Sequence, residues 1–488
     1  MIPGFYPDPS VCRVGDEYWL ATSTFTYFPG VPVFRSTDLV RWTQVGNVLN
    51  RSSQLDLTQT PGNASAGIFA PTIRHHAGRF WMITTVFNAG VGRNFFVTAG
   101  DPAGPWSEPV FLDVEGIDPD IAWDDDGNCW VHVSLDQTIR RCRIDEHTGA
   151  VLEQPTLAWR GTGMQWPEAP HLIRRGDTWY LLIAEGGTEG GHSVTVARSA
   201  SPTGPWESCP ANPILTHRSL SRPIQNTGHA DLIEATDGSW WMVLLGVRQR
   251  GQTPGFRALG RETFLVPVTW VDGWPVVGDL SLEMPKSPPG EPSGHGPVPA
   301  KDDFDAPALG PEWVSMRAPL GDAASLTERP GWLTLHGNGH DLDADTPVFT
   351  GRRQQHLWCR ARALVDPGDS TEAGLAIRMD EQSHYEVFVA DGAISVRARV
   401  GFLTSVLASA EAPAGDVVLR LETHPDRYGP DIIQLGFEAD GEFRILASLD
   451  GRFLTTQAAG GFIGRVLGLY AISGTAHFDW FDYEAIED

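Results

Sequence analysis

Five short segments recur along the first half of the chain, and three of them open on a carboxylate. They are DPSVCRV from Asp8, APTIRHH from Ala70, DPDIAWDD from Asp118, EAPHLIRR from Glu168 and HADLIEAT from His229. Carboxylates that converge in a confined site repel one another, which favours keeping one of them protonated at neutral pH. A protonated acid facing an ionised base across a neutral substrate is what glycosidic bond cleavage needs: one protonates the leaving oxygen while the other activates water. Asp-Pro by itself also starts turns, so Asp8 or Asp118 alone reads as a turn cap; recurrence at comparable positions is what makes a constellation. Glu168 stands between prolines in WPEAPHL, which hold it in extended backbone. His229 reads equally as a satisfied core histidine or as a channel residue binding water or a cation near the substrate. The acidic run Asp124-Asp125-Asp126-Gly127 lacks the EF-hand spacing and reads as a solvated hairpin turn.

The elements that must position these residues follow from a second recurrence. GDEYWLATS from Gly15, GRFWMITTV from Gly78, GNCWVHVSL from Gly127, GDTWYLLIA from Gly176 and GSWWMVLLG from Gly238 each place a turn glycine before an aromatic-rich β run. Their spacing of roughly 50 to 60 residues suits a four-stranded antiparallel sheet with variable loops, and five such sheets make a five-bladed β-propeller. In a propeller the innermost strands line a central channel, so comparable positions of successive blades point at one axis. The segments opening on Asp8, Ala70, Asp118, Glu168 and His229 are the expected inner strands.

Residues 281–300, SLEMPKSPPGEPSGHGPVPA, hold six prolines and few apolar residues and read as a linker. Beyond Lys301, runs such as HLWCRARALV, HYEVFVA and IIQLGFEA alternate with period two and predict an antiparallel β-sandwich. The expected fold is all-β: a propeller over 1–280, the linker, and an accessory sandwich over 301–488.

The 488 residues carry a net charge of −25, which repels nucleic acid and anionic membrane and suits a neutral substrate. The five cysteines are widely spaced with no metal-binding pattern and read as buried free thiols. The opening MIPGFYPDPSVCRV has neither a basic nor an apolar leader region, and the apolar run Trp240 to Val247 is too short for a membrane span, so a cytoplasmic protein is expected.

At these residues the chain resembles glycoside hydrolase family 43, in its two-domain β-xylosidase and α-L-arabinofuranosidase branch. PGFYPDPS at Pro3 to Ser10 resembles the family's opening and implies Asp8 as general base; GIDPDIAWDDDG at Gly116 to Gly127 implies Asp118 as the residue that orients the acid and tunes its pKa; WPEAPHLI at Trp166 to Ile173 implies Glu168 as general acid. AEGGT at Ala184 to Thr188, NPILTHR at Asn212 to Arg218 and TGHADL at Thr227 to Leu232 are similar to further family segments. LGRETFLVPVTWVDGWPVV at Leu259 to Val277 implies Arg261 as a substrate contact, and STFTYFPGVPVF implies Phe25 as a wall of the sugar pocket. GIFAPT at Gly67 to Thr72 departs from the family by placing Phe69 where Trp or Tyr is usual. DDFDAPALGPEW at Asp302 to Trp313 resembles the start of the accessory sandwich, expected to be concanavalin-like or jelly-roll-like, and GGFIGRVLGLYA at Gly460 to Ala471 the part that reaches the site, so Phe462 is expected to close one side of the pocket.

The resemblance implies an inverting, exo-acting hydrolase releasing terminal xylose from short β-1,4-xylo-oligosaccharides, with or without α-L-arabinofuranosidase activity. Acid and base should stand roughly 6.5–9.5 Å apart to admit a water. No cofactor is required; a divalent cation such as calcium has a candidate place near His229, and the sandwich offers a surface for a homo-oligomer. The alternatives are a predominant α-L-arabinofuranosidase, a retaining fructosidase-like propeller, whose Asn-Asp-Pro, Arg-Asp-Pro and Glu-Cys segments this chain lacks, and a carbohydrate-binding propeller without catalysis.

Overall fold

The computed structural model describes residues 2–58, 60, 64–88, 90–283, 290, 300–413 and 415–486. Of the linker expected at 281–300, residues 284–289 and 291–299 lie outside the described residues.

Across the described residues the first half of the chain forms five antiparallel sheets, each from one successive stretch of chain. The innermost strands are Ser10–Val14, Thr72–His76, Ile117–Trp123, Glu168–Arg175 and Gln225–Glu234. Each pairs with the aromatic-rich run that follows it: Glu17–Ala21, Arg79–Asn88, Cys129–Leu135, Thr178–Glu185 and Trp240–Val247. The hairpin turns between them hold Gly15, Gly78, Gly127, Gly176 and Gly238 at φ of 60° to 80°, a conformation that glycine enters without a Cβ clash. That requirement is why glycine punctuates the repeat.

Apolar cores lie between successive blades, each built from facing sides of two sheets. Trp19 and Met82 share the core of blades one and two, Trp81 and Val131 that of two and three, Trp179 and Ile139 that of three and four, and Trp240 and Leu182 that of four and five. Tyr18, Leu20, Trp241 and Val243 join blade five back to blade one, and Ile2 bridges Thr263 across the closure. Burying a side chain of this size stabilises by about 1.5–3 kcal/mol, so each blade is held chiefly by its neighbours.

The second half stacks two antiparallel sheets as a sandwich. Their common core also takes in Phe5, Phe25 and Tyr27 of the propeller half. Tyr27–Phe28 pairs directly with Val314–Met316 as an edge strand of one sandwich sheet, a departure from the clean division at the linker. Gln44 and Asn47 both donate to the Pro311 carbonyl, and the buried Arg317 donates to the Thr60 carbonyl. All five cysteines are buried and free of disulfides. Among the described residues no helix is long and apolar enough to cross a membrane.

Candidate active site

Asp8, Asp118 and His229 take corresponding places on blades one, three and five, each at a strained backbone position. Their φ values are 57°, 52° and 47°, left-handed conformations rare outside glycine. Asp8 and Asp118 precede a proline, and the ladders beside Asp118 and His229 skip register, so Asp118 and His229 each sit in a bulge. On blade four the corresponding residue is Ala169, at φ 52°, and Glu168 stands one position earlier. The alignment of Glu168 with Asp8 expected from the sequence is therefore one residue out. The shift gives Glu168 a different line of approach from the other two carboxylates.

Two residues further along the strands of blades one, three, four and five lie Ser10, Asp120, His171 and Asp231, which with Arg74 of blade two make a second polar layer. Arg74 from blade two donates to Asp120 of blade three and Asp231 of blade five, both at 2.8 Å, and its guanidinium lies 3.1 Å from Nδ1 of His171 on blade four. The Ser10 hydroxyl donates to Asp231 at 3.0 Å. One guanidinium thus ties the inner strands together, and removing a partner from a buried pair of this kind costs about 3–5 kcal/mol.

Above that layer lies a pocket with ≈ 480 Å³ of open space that brings together Asp8, Asp118, Glu168, Phe25, Phe69, His229, Arg261 and Phe462, every site residue expected from the sequence. Asp8 accepts from Ser23 at 2.6 Å and from Arg261 at 2.9 Å. Burial pushes the Asp8 carboxyl up, but the Arg261 charge and the Ser23 hydrogen bond outweigh it and hold the group below the ordinary aspartate value. Glu168 is pushed up to about 7 by burial and then by the negative charge of Asp8. Asp118 is also driven upward, by burial and by the charges of Glu168 and Asp8, while the Ala169 N–H donates to it at 3.3 Å. Burial and the Asp8 charge thus push both Asp118 and Glu168 toward the protonated form, the opposite direction to Asp8.

Arg261 does more than the sequence indicated. Besides binding Asp8 it donates to the Thr188 hydroxyl at 3.2 Å and to the Phe462 carbonyl at 3.4 Å, and its guanidinium lies over the rings of Phe25 and Phe462. Phe462 comes from the sandwich, and its N–H donates to Ser65 at 2.8 Å. Its ring stacks on Phe25 at 5.9 Å, Phe25 meets Phe69 at 5.4 Å, and Phe69 stacks on Phe87 at 4.9 Å. The accessory domain therefore supplies part of an aromatic wall opposite the carboxylates.

Burial lowers His229 to about 3, so it is neutral, with Nδ1 3.3 Å from Asp8. Thr188 and His192 line the pocket without having been singled out. The glycines of AEGGT and TGHADL were the available signal: His192 packs where a Cβ on Gly228 would stand, 2.3 Å from its ring. Among the described residues no group of three or more His, Cys, Asp and Glu side chains is arranged for a metal ion. Calcium takes six to eight oxygens, and the carboxylate beside His229 is already engaged by Arg261 and Ser23. The protein by itself does not furnish a calcium shell there. Asp124 turns back on its own loop, accepting from Asn128 and Trp130.

A second depression, with ≈ 1200 Å³ of open space, adjoins the pocket and shares Ile117 and Glu168 with it. Glu168 therefore stands between an aromatic-walled pocket and an open groove. A carboxylic acid so placed can protonate an oxygen that joins a group in one to a group in the other.

Residues 1–275 match the sequence model of Glycosyl hydrolases family 43, and residues 301–484 that of the Beta xylosidase C-terminal Concanavalin A-like domain. A non-reducing end α-L-arabinofuranosidase of Bacteroides ovatus is 38% identical, with 100% of this chain and 94% of that protein covered. A xylosidase/arabinosidase of Butyrivibrio fibrisolvens is 37% identical, covering 99% and 97%. Among solved structures, xylan β-1,4-xylosidase from Bacillus halodurans is similar with a TM-score of 0.91 and 32% identity, over 99% of each chain.

Proposed function

The chain belongs to glycoside hydrolase family 43, and from that premise we propose that Asp8 and Glu168 hydrolyse the terminal glycosidic bond of short β-1,4-xylo-oligosaccharides with inversion. The protein is a glycoside hydrolase of the exo-acting β-xylosidase and α-L-arabinofuranosidase group, acting on oligosaccharides. Membership sets aside the alternative of a propeller that only binds sugar.

The observation that carries the assignment of roles is geometric: Asp8 accepts from Arg261 and Ser23 within the pocket, while Glu168 stands at the border of pocket and groove. Asp8, held ionised by Arg261, takes a proton from water as that water attacks the anomeric carbon. Glu168, kept protonated by burial and by Asp8, gives its proton to the leaving oxygen at the border of pocket and groove. Asp118 positions Glu168 by accepting from the N–H of the next residue, Ala169. Phe25, Phe69 and Phe462 wall the terminal sugar.

A second reading, predominant α-L-arabinofuranosidase action, is favoured by the Bacteroides ovatus relative and by the smaller ring of Phe69. The kcat/KM ratio for p-nitrophenyl β-D-xylopyranoside over p-nitrophenyl α-L-arabinofuranoside, measured with and without prior chelation, decides. A ratio above one, unchanged by the chelator, is expected. A ratio well below one transfers the main activity to arabinofuranose, and a loss on chelation restored by calcium puts a cation in the mechanism.

A further inference from the structure

The groove beyond Glu168 is built rather than incidental. It has more than twice the open space of the pocket that takes one sugar ring. Its most exposed large aromatic side chain is Trp166, two residues before Glu168 and 52% exposed. An exposed indole is usually mobile, yet here the backbone that carries it is held and the ring rests against a neighbouring glycine. The Trp166 backbone is held at φ 54°. The backbone N–H of Trp166 donates to the Gln137 side chain at 2.9 Å. Its ring lies against Gly187, where a Cβ would come within 3.2 Å of the indole. The next residue is pinned as well, since the Pro167 carbonyl accepts from Ser134 at 2.8 Å.

An apolar face so supported and left wet is placed for a partner with an apolar face and a polar rim, which describes a pyranose ring. The groove also carries Glu115, Asp136 and Gln137, groups that hydrogen-bond hydroxyls. Resting on the exo-hydrolase reading, we infer that Trp166 is the platform of a second leaving-group subsite, stacking the sugar ring one beyond the ring attached to the scissile bond. Xylobiose would fill the pocket and the first part of the groove; xylotriose would also reach the indole. Trp166 would then make the enzyme prefer longer linear xylo-oligosaccharides without touching the reacting atoms.

The test is kcat/KM for xylobiose, xylotriose and xylotetraose with wild type, Trp166→Ala and Trp166→Phe, each normalised to its own rate on p-nitrophenyl β-D-xylopyranoside. The expected result is a gain of about five- to tenfold from xylobiose to xylotriose in wild type, little further gain with xylotetraose, loss of the gain in Trp166→Ala and partial recovery in Trp166→Phe. A wild type that cleaves xylobiose and xylotriose equally well overturns the subsite and leaves the hydrolase reading intact. A gain that survives in Trp166→Ala overturns the role of the indole. No hydrolysis of xylobiose at all overturns the reaction and the subsite with it.

Discussion

Two carboxyl groups of nearly equal intrinsic acidity are driven apart at this pocket by what surrounds them. Arg261 lowers Asp8, and the resulting negative charge adds to burial in raising Glu168. The kcat/KM profile should accordingly fall on the alkaline side near pH 7, where Glu168 loses the proton it must donate. On the acid side it should hold until below the ordinary aspartate range, where Asp8 gains a proton it must lack. In Asp118→Asn the carboxyl group that holds the Ala169 N–H beside Glu168 is replaced, so kcat on xylobiose should fall while KM changes little; an unchanged kcat would detach Asp118 from the acid. Glu168→Ala should lower kcat on xylobiose by about 10²–10⁴-fold and much less on p-nitrophenyl xyloside, whose leaving group needs little protonation. Equal losses on both substrates would deny Glu168 the acid role.

At the scale of elements, the inner strands act through bulges instead of through regular ladder positions. The sequence made the blades legible, because a hairpin glycine and the following aromatic run are local signals. It did not show the offset of Glu168 from Ala169, since prolines at 167 and 170 mask which residue takes the bulge. Thr188 and His192 were hidden for a related reason: both enter from the loop around AEGGT, whose path depends on close backbone approach and not on a periodic pattern. Gly228 is one such approach. In Gly228→Ala the new methyl would meet the His192 ring at 2.3 Å, and the overpacking should cost about 1–3 kcal/mol. Thermal denaturation checks this through a lowered Tm, with kcat falling as His192 is pushed into the pocket. An unchanged Tm would mean that His192 yields freely.

The whole molecule is a propeller whose active pocket is finished by its neighbour. The proline-rich boundary and the period-two strands made two halves visible in the sequence, yet the two-residue strand Tyr27–Phe28 could not be placed in the sandwich sheet, because so short a pairing leaves no periodic trace. Phe5, Phe25 and Tyr27 bury in the sandwich core, and Phe462 returns the contact at the pocket wall. A chain ending at Glu283 should therefore be both poorly soluble and inactive, judged by soluble yield and by xyloside hydrolysis; a soluble, fully active truncation would show that the sandwich contributes nothing to the site.

The central claim is that an ionised Asp8 delivers water to one face of the sugar while Glu168 protonates the other side. Proton NMR during hydrolysis of p-nitrophenyl β-D-xylopyranoside, recorded before mutarotation, tests it most directly. The account predicts α-xylose as the first-formed product; β-xylose appearing first would mean retention, with one carboxylate attacking the sugar itself, and would contradict it.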